Sequence, residues 1–181
     1  MYLTETERLF ASLDAYEVAI VARAVATSER FRLERIATTA TRLGNGWLYP
    51  IVTLALIVAA RVDDVLRFVA TAALSLAIAF LVYPLLKRAF ARSRPCDYDP
   101  SLARLPEPLD HYSCPSGHAM TAAAYAVSMI AAAPMLAPIA IVLVAAIGWS
   151  RVALGHHYVT DVLAGALLGS AVAMTVAAFV Y

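Results

Sequence analysis

From residue 68 to residue 86 the chain runs for 19 residues without a charge, and then meets Lys87, its only lysine. About 20 consecutive apolar residues in a helix match the ~30 Å hydrocarbon core of a bilayer, so such a run restricts the fold severely. Residues 47–60, 115–133, 137–154 and 157–180 are built in the same way, mainly from Ala, Leu, Val and Ile. The hydrophobic fraction is 62% and the mean hydropathy +0.73, too apolar for an ordinary soluble domain. Gly44-Asn45-Gly46, a connector at 61–67, a polar loop at 88–114 with four prolines, and Pro134 with Pro138 separate the runs. The pattern predicts an all-α, polytopic membrane helix bundle forming one domain of 181 residues, with five to six transmembrane helices. Trp47 and Tyr49 stand where interface anchors are expected.

Residues 1–44 are of another kind. Charges occur throughout, and Leu9, Phe10, Leu13, Val18, Ile20 and Val21 recur among them at helical spacing. One or two amphipathic helices are expected here, lying at the interface or against the core bundle of residues 45–181. A polar-faced first span is the alternative, and it would make the sixth helix. Residues 1–10 show no basic stretch followed by an apolar one, so no cleavable leader is expected. The formal net charge of +1 gives no reason to expect nucleic acid or another polyanion as partner.

Three short polar clusters interrupt the apolar background: 87–95, 115–118 and 150–161. Ionisable groups near hydrocarbon are costly and mark functional sites by default. Lys87 ends one predicted helix, Pro115 begins the next, and 150–161 covers the junction of the last two. Up-and-down threading puts all three clusters on one membrane face. Lys87, Arg94 and Arg151 then supply three cations suited to a phosphate, the arginines as planar forks and the lysine as a compact charge. Pro115-Ser116-Gly117-His118 opens a helix, where free backbone N–H groups form an anion site. Gly117 permits close approach, Ser116 can donate its hydroxyl or simply cap the helix, and His118 can protonate a leaving oxygen. His157 and Asp161 lie four residues apart on one face, so the carboxylate can hold one ring nitrogen and aim the other at an electrophile. Arg88 and Arg92 read as interfacial anchors. His156, five residues from Asp161, faces elsewhere, behind the site or toward solvent.

Lys87-x6-Arg94-Pro95, Pro115-Ser116-Gly117-His118 and Ser150-Arg151-x5-His157-x3-Asp161 together resemble the signature of the type 2 phosphatidic acid phosphatase (PAP2) superfamily. The resemblance covers residues 44–175 and matches in type and spacing at every defining position. It implies that His157 attacks phosphorus to form a phosphohistidine, Asp161 orients it, and His118 is the general acid. It further implies that Lys87, Arg94, Arg151, Ser116 and the Gly117 backbone hold the phosphoryl oxygens, with no metal or other cofactor. The matched motifs have no carboxylates clustered to hold magnesium and no close Cys/His ligand set that would suggest one. The implied substrate is a lipid phosphate in the membrane: phosphatidate, phosphatidylglycerol phosphate, or a polyprenyl phosphate such as undecaprenyl diphosphate. Phosphotransfer to another lipid, and a non-enzymatic anion-binding role, are the competing readings, and homo-oligomerisation is open.

Cys96 and Cys114 flank the polar loop at its two ends and form a candidate disulfide pair if the loop faces an oxidising space. Twelve of the fourteen Lys and Arg residues fall on the active-site side or in the attached N-terminal region, which by the positive-inside rule points inward. The cysteines and the family habit point outward. An integral protein of the plasma (bacterial inner) membrane with its site on the outer, periplasmic face is the expectation. The loop 96–114, with Asp97, Asp99, Glu107, Asp110 and Tyr112, is expected to set headgroup preference, to cover the site, or only to connect.

Overall fold

The computed structural model describes residues 5–59, 64–108 and 110–181, with side chains from residue 13 onward. The expected apolar positions Leu9 and Phe10, and Arg61 of the connector, lie outside the described side chains. The helices are α1 (Glu5–Arg30), α2 (Glu34–Gly44), α3 (Leu48–Val58), α4 (Val65–Phe90), α5 (Pro95–Tyr98), α6 (Gly117–Ala132), α7 (Ala137–Ala153) and α8 (Val159–Val180), with short 3-10 turns at Pro100–Leu102 and Pro134–Leu136. No strand occurs among the described residues.

Three helical stretches among the described residues are long and apolar enough to cross a membrane: Val65–Tyr98, Pro134–Ala153 and Val159–Val180. Two of the expected spans are shorter, α3 at 11 residues and α6 at 16. α6 stops before Pro134, which cannot continue its hydrogen bonding. It is the central element, packed by α4, α7 and α8, and most of its side chains are buried. Small residues make that enclosure feasible. A Cβ on Gly165 would stand 2.4 Å from the Ser116 carbonyl oxygen, and one on Gly169 would stand 2.0 Å from that of Met120. The small-xxx-small pair of α8 thus lets two helix backbones touch.

A second contact region joins α3, α4 and α6 through Tyr49, Phe68, Ala72, Tyr125 and Met129. Trp47 is exposed, as expected of an anchor, but Tyr49 is not one: it is 4% exposed and its hydroxyl donates to Thr121 Oγ1 at 2.8 Å. α4 also outruns its expected end. It begins where the Asp64 side chain accepts from the Arg67 N–H at 3.0 Å, and it passes Lys87 to end at left-handed Ala91 (φ 47°). A charged side chain need not stop a helix when its tip finds partners inside the protein.

The N-terminal helices lie against the bundle. α1 buries Val21 and Val25 against Leu102 and Tyr158, and α2 buries Ala37 against Ala153 and Leu154. Gly169→Val places a branched side chain against the Met120 backbone, which α6 can relieve only by moving away. Overpacking of this kind costs about 1–3 kcal/mol. The thermal midpoint of the detergent-solubilised protein is expected to fall, while Leu167→Ala, at a side chain 72% exposed, leaves it unchanged.

Candidate active site

The last turns of α4 carry Lys87 inward to 4% exposure. The chain then turns at Ala91 and brings Arg94 to the start of α5, where the Arg94 N–H bonds Asp97 Oδ2 at 3.1 Å. Both cations converge on the polar loop. Lys87 Nζ donates to Asp110 Oδ1 at 2.7 Å, to Asp110 Oδ2 at 2.9 Å and to the Tyr112 carbonyl at 2.8 Å. Arg94 Nη2 reaches Asp110 Oδ1 at 2.6 Å, and Arg94 Nη1 reaches the His156 carbonyl at 2.6 Å. Partial burial tends to raise the Asp110 pKa, but the Lys87 and Arg94 charges outweigh it and hold the carboxyl below its usual range. Of the expected roles for this loop, covering the site is the one its geometry matches.

The end of α7 sets the second wall. After Leu154 the backbone enters the left-handed region at Gly155 (φ +71°), and a Cβ there would lie 2.2 Å from the Leu102 carbonyl oxygen. Only glycine fits that turn. It folds the next two residues back, so the N–H groups of His156 and His157 bond the Arg151 carbonyl at 3.1 and 3.2 Å. His157 Nε2 lies 3.4 Å from Arg94 Nη1, and its Nδ1 lies 3.6 Å from Asp161 Oδ2. The latter is a charge-pair distance, longer than a hydrogen bond. Burial first, then the Arg151, Arg94 and Lys87 cations, hold the His157 imidazole well below its ordinary pKa. These causes favour its neutral form. Arg151 is 2% exposed, forms no ion pair among the described residues, and leaves Nε without a hydrogen-bond partner.

The start of α6 closes the pocket. Lys87, Arg94, Gly117, His118, Arg151 and His157 line one cavity, together with Asn45, Tyr83 and Asp110. The three motifs, 74 residues apart at their extremes, do meet (Lys87 to Asp161). Two motif residues sit behind the wall. Asp161 is fully buried in the first turn of α8, and Ser116 is fully buried with its hydroxyl at the N-cap position of α6, 3.5 Å from the Ala119 N–H. Gly117 is closely packed, since a Cβ there would meet the Tyr83 ring at 3.1 Å.

Several residues of the site were not recognisable in sequence. Arg92 is not an interfacial anchor: it is 2% exposed and bonds Asp161 Oδ1 at 2.6 Å, with Asp14 and Glu17 of α1 on its other nitrogens. Its proximity to the first motif was the available signal. Asn45, read as a turn residue, accepts from His118 Nε2 at 2.6 Å. Thr41 of α2 pairs with Ser150 Oγ at 2.9 Å and accepts from Arg151 Nη1 at 3.3 Å. His156 is 1% exposed, so it lies behind the site rather than toward solvent, and its ring contacts the Arg104 carbonyl at 3.1 Å. Arg88 is exposed, as expected. Cys96 is half-buried and Cys114 buried, and both are free thiols here. Burial pushes the Cys114 thiol up to about 12, so it is protonated and unreactive.

An undecaprenyl-diphosphatase of Sulfolobus acidocaldarius is 35% identical over 102 residues, 55% of this chain and 49% of its own length, so the match spans about half of that relative. The crystal structure of the first transmembrane PAP2 type phosphatidylglycerolphosphate phosphatase from Bacillus subtilis superposes with a TM-score of 0.71 at 29% identity, covering 93% of this chain and 86% of the other. Aquifex aeolicus LpxE shares the fold, with a TM-score of 0.57 at 21% identity over 80% of this chain and 84% of its own. The sequence profile of the PAP2 superfamily matches residues 68–181, the stretch that carries all three motifs, and the chain is a member of that superfamily.

Proposed function

We propose that this protein is an integral membrane lipid phosphatase that passes a phosphoryl group first to His157 and then to water. The observation that carries the reading is Arg151. A buried guanidinium without an acidic partner is costly, and it sits on a pocket with two further cations and a neutral imidazole. A phosphate dianion supplies the missing charge, and the cations stabilise the charge that develops on its equatorial oxygens.

His157 Nε2 donates its lone pair to phosphorus as the P–O bond to the lipid breaks, and His118 gives its proton to the departing oxygen. The phosphohistidine ring carries positive charge, which the Asp161 carboxylate beside Nδ1 balances. Water then attacks phosphorus, the N–P bond breaks, and His118 recovers a proton. The family resemblance and the relatives named above support phosphatidate, phosphatidylglycerol phosphate and polyprenyl diphosphates as the substrate classes to examine. Transfer to a second lipid uses the same intermediate, and a phosphorylated acceptor in place of free phosphate would reveal it.

Phosphate release from a panel of these lipids is expected to fall at least ~10³-fold in His157→Ala, with the protein still folded. Undiminished release would remove the phosphohistidine step, and absence of both phosphate release and a phosphorylated acceptor from the native protein would leave only anion binding. Asp110 presents the cations with the carboxylate that a substrate phosphate has to displace. Asp110→Asn is thus expected to lower KM roughly tenfold, about 1.4 kcal/mol, and a raised KM would mean that Asp110 helps to hold substrate.

We also place the site on the outer face of the plasma membrane, a reading supported by the family habit. In whole cells, a membrane-impermeant maleimide is expected to label half-buried Cys96 after reduction. Labelling only after permeabilisation would put the site inside.

A further inference from the structure

We infer that Arg92, held by Asp14 and Glu17 of α1, is a positioning residue for the Asp161–His157 pair, so that the N-terminal helix is part of the catalytic apparatus. The inference rests on the phosphatase reading proposed above.

Every edge of the Arg92 guanidinium is engaged. Nε donates to Asp14 Oδ1 at 2.8 Å, and Nη2 lies 2.7 Å from the same oxygen and 2.9 Å from Glu17 Oε2. Nη1 donates to Thr160 Oγ1 at 2.7 Å and to Asp161 Oδ1 at 2.6 Å, while the group lies 4.0 Å over the Tyr158 ring. A planar fork fixed on all sides transmits its orientation to what it holds. Asp161 is held at two points: Arg92 takes Oδ1, and the Tyr158 N–H takes Oδ2 at 2.9 Å. Its rotamer is thereby fixed with Oδ2 toward His157 Nδ1.

Charge gives the same result. An arginine facing Asp161 alone would neutralise it and compete with the imidazolium for its charge. Asp14 and Glu17 change that balance, because three carboxylates then share one guanidinium. The formal sum of −2 (one Arg, three acids) lies behind His157, opposite the three pocket cations. A ring between cations in front and net negative charge behind is polarised toward phosphorus. Glu17 adds a second anchor, accepting from the Thr160 N–H at 2.9 Å and from the Thr160 hydroxyl at 2.5 Å in the first turn of α8. Asp14 and Glu17 lie outside residues 68–181, the stretch matched by the family profile.

The test is the double variant Asp14→Asn/Glu17→Gln in the full chain, which keeps shape and acceptor oxygens and removes the charge. With rates normalised to folded protein, kcat for lipid phosphate hydrolysis is expected to fall roughly 10–100-fold, the usual effect of losing an orienting partner, with KM within about twofold. Arg92→Lys is expected to retain more kcat than Arg92→Gln. Glu29→Gln, which removes an acid of the same helix paired with Arg104 at the surface, is expected to leave kcat unchanged. An unchanged kcat in the double variant would overturn the inference, as would a loss confined to the folded fraction or to KM. If His157→Ala stays active, the phosphohistidine reading has failed instead, whatever the α1 variants do.

Discussion

Where α6 and α8 cross, the carbonyl oxygens of Ser116 and Met120 occupy the space that side chains at Gly165 and Gly169 would need. The Ser116 N–H also bonds the Asp161 carbonyl at 3.0 Å, so the first turns of the two helices are fastened together. That contact brings the start of the helix carrying His118 beside the start of the helix behind His157. Lys87 arrives from α4, Arg94 from the start of α5, and Arg151 from the end of α7. A wider crossing would still give a bundle of apolar helices, but His118 and His157 would not face one cavity.

Concentrating three cations at one end of that bundle raises an electrostatic difficulty, which the molecule meets in two ways. Lys87 and Arg94 share a loop carboxylate, Asp110, 39% exposed and so within reach of exchange with an incoming anion. Arg92 is handled oppositely, with buried carboxylates of α1 and α8 as its ion-pair partners. The arginine facing solvent-accessible space thus has an exchangeable partner, and the arginine behind the site has fixed ones. Arg151 has no carboxylate partner among the described residues, which is why its charge points to a ligand.

The motifs, the apolar runs and the glycine pair were legible because each depends on local spacing: helix length, i to i+4 geometry, a missing Cβ. Arg92, Asp14, Glu17, Thr41 and Asn45 were not legible, because their meaning comes from pairing across more than 70 residues. Asp14 and Glu17 lie on a helix whose other acids include surface-paired Glu29, and nothing local distinguishes them from it. Tyr49 failed for a related reason. A tyrosine at the end of an apolar run suits an interface equally well, and only the distant hydroxyl of Thr121 makes its burial favourable. The helix end placed at Lys87 was early because a lysine whose buried ammonium has three acceptors in the protein no longer behaves as a surface charge.

The lipid character of the proposed substrate follows from one face of α4. Phe80, Tyr83 and Lys87 all line the cavity, at positions i, i+3 and i+7 of one helix. Seven residues of helix span about 10 Å. Over that distance the wall changes from an ammonium to aromatic rings, and the outward neighbours Leu81 and Leu85 are exposed at 72% and 63%. A soluble phosphate ester would use only the polar end. A molecule with phosphate at one end and hydrocarbon at the other matches the whole gradient, with the phosphoryl group against Lys87, Arg94 and Arg151 and the chain running along α4 into the bilayer. The apolar residues along α4 thus suit the hydrocarbon part of the proposed substrate as well as the bilayer itself.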